Sequence, residues 1–192
     1  MLLEGDVSEE DHCKKIIEKT VKEFGRLDIL VNNAAHQFET DSIQDVTGEM
    51  LKKIYSINVF SIFYLCKAAI KFMKEGGSII NTSSVQAYSP AQRILTYAST
   101  KGAVSNFTKG FAQEAIQKGI RVNGVAPGPV WTPFIPASSL DPQSVSHFGE
   151  GSLLKRPAQP AELAPVFVFL ASDEASYVVG EVYGVTGSIK KP

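Results

Sequence analysis

Ile79-Ile-Asn-Thr-Ser-Ser84, followed 13 residues after its last serine by Tyr97-Ala-Ser-Thr-Lys101, is the stretch whose reading decides the fold. Ser78 to Thr82 is a short apolar run with the length of a buried strand, and about Thr96 to Lys118 has the composition of a helix. Positions i and i+4 of a helix share a face, so the Tyr97 hydroxyl and the Lys101 ammonium point into one cleft. A neighbouring cation favours phenolate over phenol, lowering a pKa that starts near ~10 toward the range useful for acid/base work. A hydroxyl brought in by the strand, that of Ser84, then holds a substrate carbonyl or alcohol beside the phenol. The pattern describes a hydride-transfer site that needs no metal.

Outward from this stretch, strands and helices alternate. Ser8 and Asp11 resemble a capping box, and the helix they open stops at Phe24-Gly25. Leu27 to Asn32 reads as a strand buried on both faces. Apolar residues then recur at helical spacing from Thr47 to about Lys74, halted by Gly76-Gly77. Gly119 to Ala126 is a further strand, Pro160 to Ser172 a helix, and Glu181 to Thr186 the last strand. Such alternation with short connections implies right-handed crossovers and a parallel sheet. Between Pro127 and Pro160 the rhythm breaks, with proline at 127, 129, 133, 136, 142, 157 and 160. Residues 128–160 are therefore expected to form a substrate lid.

Composition narrows the function. With 192 residues, 44% of them hydrophobic and 20% charged, the chain reads as one domain, 1–192, with a sizeable core. A net charge of -1 with scattered Lys and Arg offers no nucleic-acid surface, and no apolar run is long enough to span a membrane. The acidic opening (Glu4, Asp6, Glu9, Glu10, Asp11) is unlike a targeting peptide, so a cytoplasmic location is expected. Cys13 lies in the apolar stripe of the first helix, where packing is its expected role. His12, His36 and His147 are dispersed and form no metal-ligand pattern. His36 reads as a loop residue near the cleft.

Four more motifs join the Ser, Tyr and Lys: Leu27-Asp-Ile-Leu-Val-Asn-Asn-Ala-Ala35, Asn58 inside an apolar helix, the Asn-Thr-Ser-Ser run ending at Ser84, and Arg121-Val-Asn-Gly-Val-Ala-Pro-Gly128. In order and spacing they resemble the short-chain dehydrogenase/reductase family from about Leu3 to about Gly187. Within it, Pro127-Gly-Pro-Val-Trp-Thr-Pro133 is similar to the glucose/ribitol dehydrogenase-like, general-stress type of bacterial member. The resemblance implies an α/β, Rossmann-like, doubly wound parallel sheet. Members open with a strand, a T-G-x-x-x-G-x-G turn and a helix that receives the cofactor pyrophosphate. Leu2 to Val7 looks like the end of their third strand, so the first two βα units, roughly 60 residues at about 30 per unit, are expected to be absent. With family order 3-2-1-4-5-6-7, the strand at Leu27 becomes an edge, and the isolated chain is expected to be aggregation-prone or partly unfolded.

By the same resemblance, Asn58, Ser84, Tyr97 and Lys101 are the catalytic set. Asn58 would hold a water beside Lys101, and Tyr97 would pass the proton. Lys101 would lower the Tyr97 pKa and bind the nicotinamide ribose. NAD or NADP would be held by Asp6 and Val7 at the adenine, by Asn33, Ala34 and Ala35 at the ribose, and by Pro127, Gly128, Val130 and Thr132 at the nicotinamide, besides Tyr97 and Lys101. Ala35 stands where most relatives have glycine. Trp131, Phe134 and Ile135 either line the substrate pocket or pack the lid. Val185-Thr-Gly-Ser188 replaces the usual V-D-G-G of a tail that supports subunit contacts; relatives imply a dimer or tetramer. The implied activity is hydride exchange between NAD(P)(H) and a small-molecule carbonyl or alcohol, and the alternative is a noncatalytic remnant or assembly partner of an intact relative.

Overall fold

Parallel pairing of four strands organises the molecule, whose computed structural model describes residues 1–137 and 145–187. Strands β1 (Ile29–Asn32), β2 (Ser78–Thr82), β3 (Arg121–Pro127) and β4 (Val182–Val185) lie in the order β1-β2-β3-β4. Ile29 pairs with Ser78, Ser78 with Arg121 and Gly124 with Val182, so the C-terminal ends of the first three strands finish close to one level. Helices α1 (Glu10–Phe24), α2 (Gly48–Tyr55), α3 (Ser61–Ala69), α4 (Leu95–Ala115), the short α5 (Phe134–Ala137) and α6 (Pro160–Ala171) make the crossovers and covers.

The two faces of the sheet are covered unequally. On one, Leu30, Ile79 and Val122 pack with Cys13 and Ile17 of α1, Ile62, Leu65 and Cys66 of α3, and Val104 and Ala112 of α4. On the other, Ile80 and Val125 meet Leu170 of α6 and Ala175. Helix α6 lies over β2 and β3. Ile29 and Val31, which point to that same face from β1, are 47% and 44% exposed. β1 is the edge strand, as expected, but the expectation that it is buried on both faces is corrected, because the described helix on its second face packs over β2 and β3.

Buried polar side chains tie the layers together. Asn32 Nδ2 donates to Asn81 Oδ1 on the neighbouring strand (2.8 Å), and Asn81 Nδ2 donates to Thr108 Oγ1 of α4 (3.0 Å). On the opposite face, Arg121 donates to the carbonyls of Leu170 and Ser172, both at 2.9 Å, and Ser78 Oγ donates to Leu170 C=O at 2.8 Å, closing the end of α6. These bonds satisfy groups whose unpaired burial would each cost about 1–3 kcal/mol.

Several boundaries differ from the sequence reading. The Ser8/Asp11 capping box does not form: α1 starts at Glu10, and the Asp6 carboxylate accepts the Ser8 N–H at 2.8 Å instead. The helix does end at Gly25, in the left-handed region at φ 75° with its N–H on Val21 C=O. Leu2 to Val7 forms no strand among the described residues, since an extended segment becomes a strand only beside one it can pair with. The long helix expected from Thr47 to Lys74 is present from Gly48 to Ala69 but contains a π turn at Ser56–Phe60. Beyond Ala69 the Phe72 and Met73 amides share the Ala69 C=O, and Met73 is buried in the core. Pro142 of the expected lid and Ser188 of the tail lie outside the described residues.

The free edge of β1 with two half-exposed β-branched side chains favours association with another chain. Ile29→Lys is expected to lower concentration-dependent self-association in sedimentation velocity while leaving the far-UV CD spectrum intact; an unchanged association constant would place the contact elsewhere.

Candidate active site

The level strand ends bring the chemistry together. Asn33, Ala34 and Ala35 leave β1, Ser83 and Ser84 leave β2, and Pro127 and Gly128 close β3. Together with α4, the 129–135 segment and α6 they line a cavity of about 990 Å³. A crevice outside the carboxyl ends of parallel strands is where open α/β sheets bind ligands. Gly128 is required there for packing as well, because a Cβ would fall 2.6 Å from the Thr186 carbonyl oxygen.

Lys101 and Tyr97 meet as the i,i+4 spacing requires, with the ammonium 5.5 Å from the phenol ring centroid. Lys101 is only 2% exposed and donates to the Thr82 carbonyl at 2.7 Å. Burial pulls its pKa down to about 8, and burial pushes that of Tyr97 up to about 12, with the neighbouring Ser84 hydroxyl working weakly the other way. The direction is opposite to the expected lowering of Tyr97: burial of the phenol is the dominant influence here. At neutral pH Tyr97 is a phenol with a proton to give.

The two serines part company. Ser83 Oγ donates to Lys101 C=O (3.0 Å) and lies 2.7 Å from Ser105 Oγ, so it is spent on fastening β2 to α4. Ser84 Oγ accepts a 3.2 Å bond from the Gln86 N–H that starts the next turn, is hydrogen-bonded to the Tyr97 side chain, and faces the cavity.

Asn58 sits in the π turn and is 1% exposed. Its Oδ1 accepts the His36 N–H (2.7 Å), while Nδ2 donates to His36 C=O (2.9 Å) and to Thr100 Oγ1 (3.0 Å). The side chain clamps the loop after β1 to α4; it does not line the cavity or touch Lys101. Single π turns inside helices recur at functional sites, and Asn58 is buried in one.

Of the remaining candidates, Val130 and Thr132 line the cavity. Val130 is held between the Ala158 N–H to Pro129 C=O bond (2.9 Å) and the Trp131 N–H to Ala158 C=O bond (2.8 Å). Phe134 and Ile135 also line it, whereas Trp131 turns to the Phe148 ring 6.4 Å away. Asp6 and Val7 lie away from the cavity: the Asp6 carboxylate is held below its ordinary pKa by the Ser8 amide, and Val7 packs on the α1 core. His36 Nε2 is buried without a hydrogen bond among the described residues, and burial lowers its pKa. Gln37, Gln86, Ile94, Phe148 and α6 residues Leu163, Ala164 and Phe167 line the cavity without having been singled out in the sequence. Nothing in local pattern distinguishes them, because their placement comes from loop closure and the crossover to α6. Among the described residues no three His, Cys, Asp or Glu converge as metal ligands, and no helix is long and apolar enough to cross a membrane.

The profile of a family described as enoyl-(acyl carrier protein) reductase matches residues 1–188. General stress protein 39 of Bacillus subtilis is 48% identical over 97% of this chain and 65% of its own length. The glucose and ribitol dehydrogenase of Daucus carota is 46% identical over 95% of this chain and 62% of its own length. The chain thus spans just under two thirds of the length of these curated relatives. The crystal structure of a short-chain dehydrogenase/reductase, a glucose/ribitol dehydrogenase, from Brucella melitensis superposes with a TM-score of 0.89 at 33% identity, covering 98% of this chain and 75% of that one.

Two outcomes test this geometry. Asn58→Ala orphans the His36 amide and carbonyl, while the Thr100 hydroxyl keeps its bond to the Tyr97 carbonyl, so the denaturation midpoint should fall by the equivalent of about 2 kcal/mol or more. For Lys101, the folded pKa lies below the unfolded one, so the charged form is penalised by folding at all pH below about 8, and that penalty fades as pH rises toward the ordinary lysine value. Measured by guanidinium unfolding, the stability of the native chain relative to Lys101→Met should be flat below pH 8 and climb above it. A flat difference throughout would mean that Lys101 is not perturbed.

Proposed function

The chain belongs to the short-chain dehydrogenase/reductase family, and on that premise we propose that it exchanges hydride between NAD or NADP and a small carbonyl or alcohol substrate, with Tyr97 as the proton donor and acceptor. The observation that carries this reading is the buried Tyr97 and Lys101 pair opening, with Ser84, onto one cavity. In the reductive direction Ser84 Oγ holds the substrate carbonyl oxygen, and the Tyr97 hydroxyl gives it a proton. In the oxidative direction Tyr97 takes the proton of the alcohol. Its raised pKa favours the donor role at neutral pH.

The residues fit a nicotinamide cofactor in two respects. A volume of about 990 Å³ is at the upper end of small-molecule sites. The Lys101 ammonium has three donors, of which one meets a protein acceptor among the described residues, the Thr82 carbonyl. Its other donors suit the ribose hydroxyls. Asn33, Ala34 and Ala35 would flank that ribose, and Pro127, Gly128, Val130 and Thr132 the nicotinamide. Asp6 and Val7, outside the cavity lining, would serve the adenine end of the cofactor. The bound cofactor supplies the hydride. Relatives named for glucose and ribitol favour a sugar or polyol as substrate.

A second reading, an assembly partner that binds relatives without turning over, is favoured by a separate observation. Phe63 of α3 is half exposed and packs on Phe107 at 4.4 Å, which in turn stacks on Phe111 at 5.3 Å, giving an aromatic strip across α3 and α4. The same strip suits a homodimer.

Titration of the purified chain with NADH and with NADPH, followed by nicotinamide fluorescence, separates the two. Saturable binding at micromolar concentrations is expected, with Tyr97→Phe binding comparably but turning over a hundredfold or more slowly. A folded sample that binds neither cofactor would support the assembly role.

A further inference from the structure

Gln37 is 8% exposed, lines the cavity, and makes no side-chain hydrogen bond to any described residue. Its carboxamide is not among the enclosed unpartnered polar groups but opens onto the cavity, so its acceptor and donors are available to what binds there, which leucine at the same place could not offer. Its direction is preset from both sides. Asn33 Oδ1 accepts the Thr82 hydroxyl at 3.1 Å, the His36 backbone is gripped through both its N–H and its C=O by Asn58, and the Phe38 ring meets the His36 ring edge-on at 4.5 Å. The loop is thus held at 33, 36 and 38, leaving the Gln37 side chain to face the cavity.

Gln86 adds a second carboxamide. Its Oε1 accepts the Ala91 N–H at 2.7 Å, which anchors the group and leaves the Nε2 donors uncommitted. Of the described residues lining the cavity, only Tyr97 and Lys101 ionise. Among the described residues the wall contains no arginine or carboxylate for a phosphate, an acid or an amine beyond Lys101 itself. It offers instead a neutral acceptor and neutral donors, the combination that one hydroxyl, being both donor and acceptor, satisfies.

From this geometry we infer that Gln37 is a specificity-determining residue, whose carboxamide selects a neutral substrate carrying a hydroxyl beyond the reacting carbon. Asn58 acts through it as a positioning residue by fixing the loop. The inference rests on the substrate-binding role proposed for this cavity and names the chemistry that role recognises. An apolar alcohol would leave the Gln37 amide unpaired on binding, and a site built to bond a hydroxyl discriminates strongly against ligands that lack one.

The test reads Gln37 directly and needs no turnover. In the ¹⁵N-labelled chain, the side-chain NH₂ pair of Gln37 is assigned by its loss in Gln37→Leu and, should that variant fold poorly, in the isosteric Gln37→Glu. The chain is titrated with ribitol and, in parallel, with 1-pentanol, which has the same carbon chain and no hydroxyl beyond the reacting carbon. Saturable shifts of the pair with ribitol are expected, with 1-pentanol binding roughly tenfold or more weakly. No shift with ribitol up to high millimolar concentration, or equal responses to both, overturns the inference. Ribitol shifts in a chain that fails to bind NADH or NADPH would instead discard the hydride-transfer reading and leave Gln37 standing.

Discussion

In-register parallel pairing on both sides of β2 is the constraint on which the rest depends. Since Ser78 pairs with both Ile29 and Arg121, the chain must leave β1, β2 and β3 at nearly the same height. Three loops with no sequence proximity then share one rim, and residues 33, 84 and 127 become neighbours. Helix α4, which follows β2 and packs against β2 and β3, brings Tyr97 and Lys101 to that rim from the side. The cavity is a consequence of strand register more than of any single contact.

Polar burial is concentrated around it. Lys101, Asn58, Asn81, Ser83 and Thr100 are all buried, at positions where an apolar core would be easier to stabilise. Each has an assignable partner: Lys101 takes the Thr82 carbonyl, Asn58 the His36 backbone, Asn81 the Thr108 hydroxyl, and Ser83 the Lys101 carbonyl. Taken together they join the ends of β1 and β2 to α4, so the acid/base pair rests on a hydrogen-bonded frame. The thiol of Cys66 in the same frame is pushed up to about 12 by burial and is chemically quiet. By contrast, Gln37 has no described side-chain partner and faces the cavity.

The edges of the molecule follow a different logic. β1 has one neighbour, and helix α6 reaches only β2 and β3, so apolar groups on β1 that would be internal under a wider cover stand half exposed. Aromatic residues of α3 and α4 form a second apolar strip. Both surfaces are better suited to contact with protein than with water.

Alternation of apolar runs with amphipathic segments was enough to read the parallel α/β class, the four strands to within two residues, and the i,i+4 meeting of Tyr97 with Lys101, because all of these follow from local periodicity. Periodicity also suggested a strand buried on both faces at Leu27 to Asn32. It could not know where α6 would lie, so it missed the exposure of Ile29 and Val31. The choice of Ser84 over Ser83 was a matter of spacing on paper, while in the fold it depends on which hydroxyl meets Ser105 and the Lys101 carbonyl. Asn58 stood out as an amide in an apolar helix, yet its partner, the backbone of His36, lies 22 residues away and is met only after folding. The pKa order of Tyr97 and Lys101 likewise reversed the simple expectation. Residue names supply a cation and a phenol, but desolvation is set by everything that closes around them, and that is a property of the tertiary structure alone.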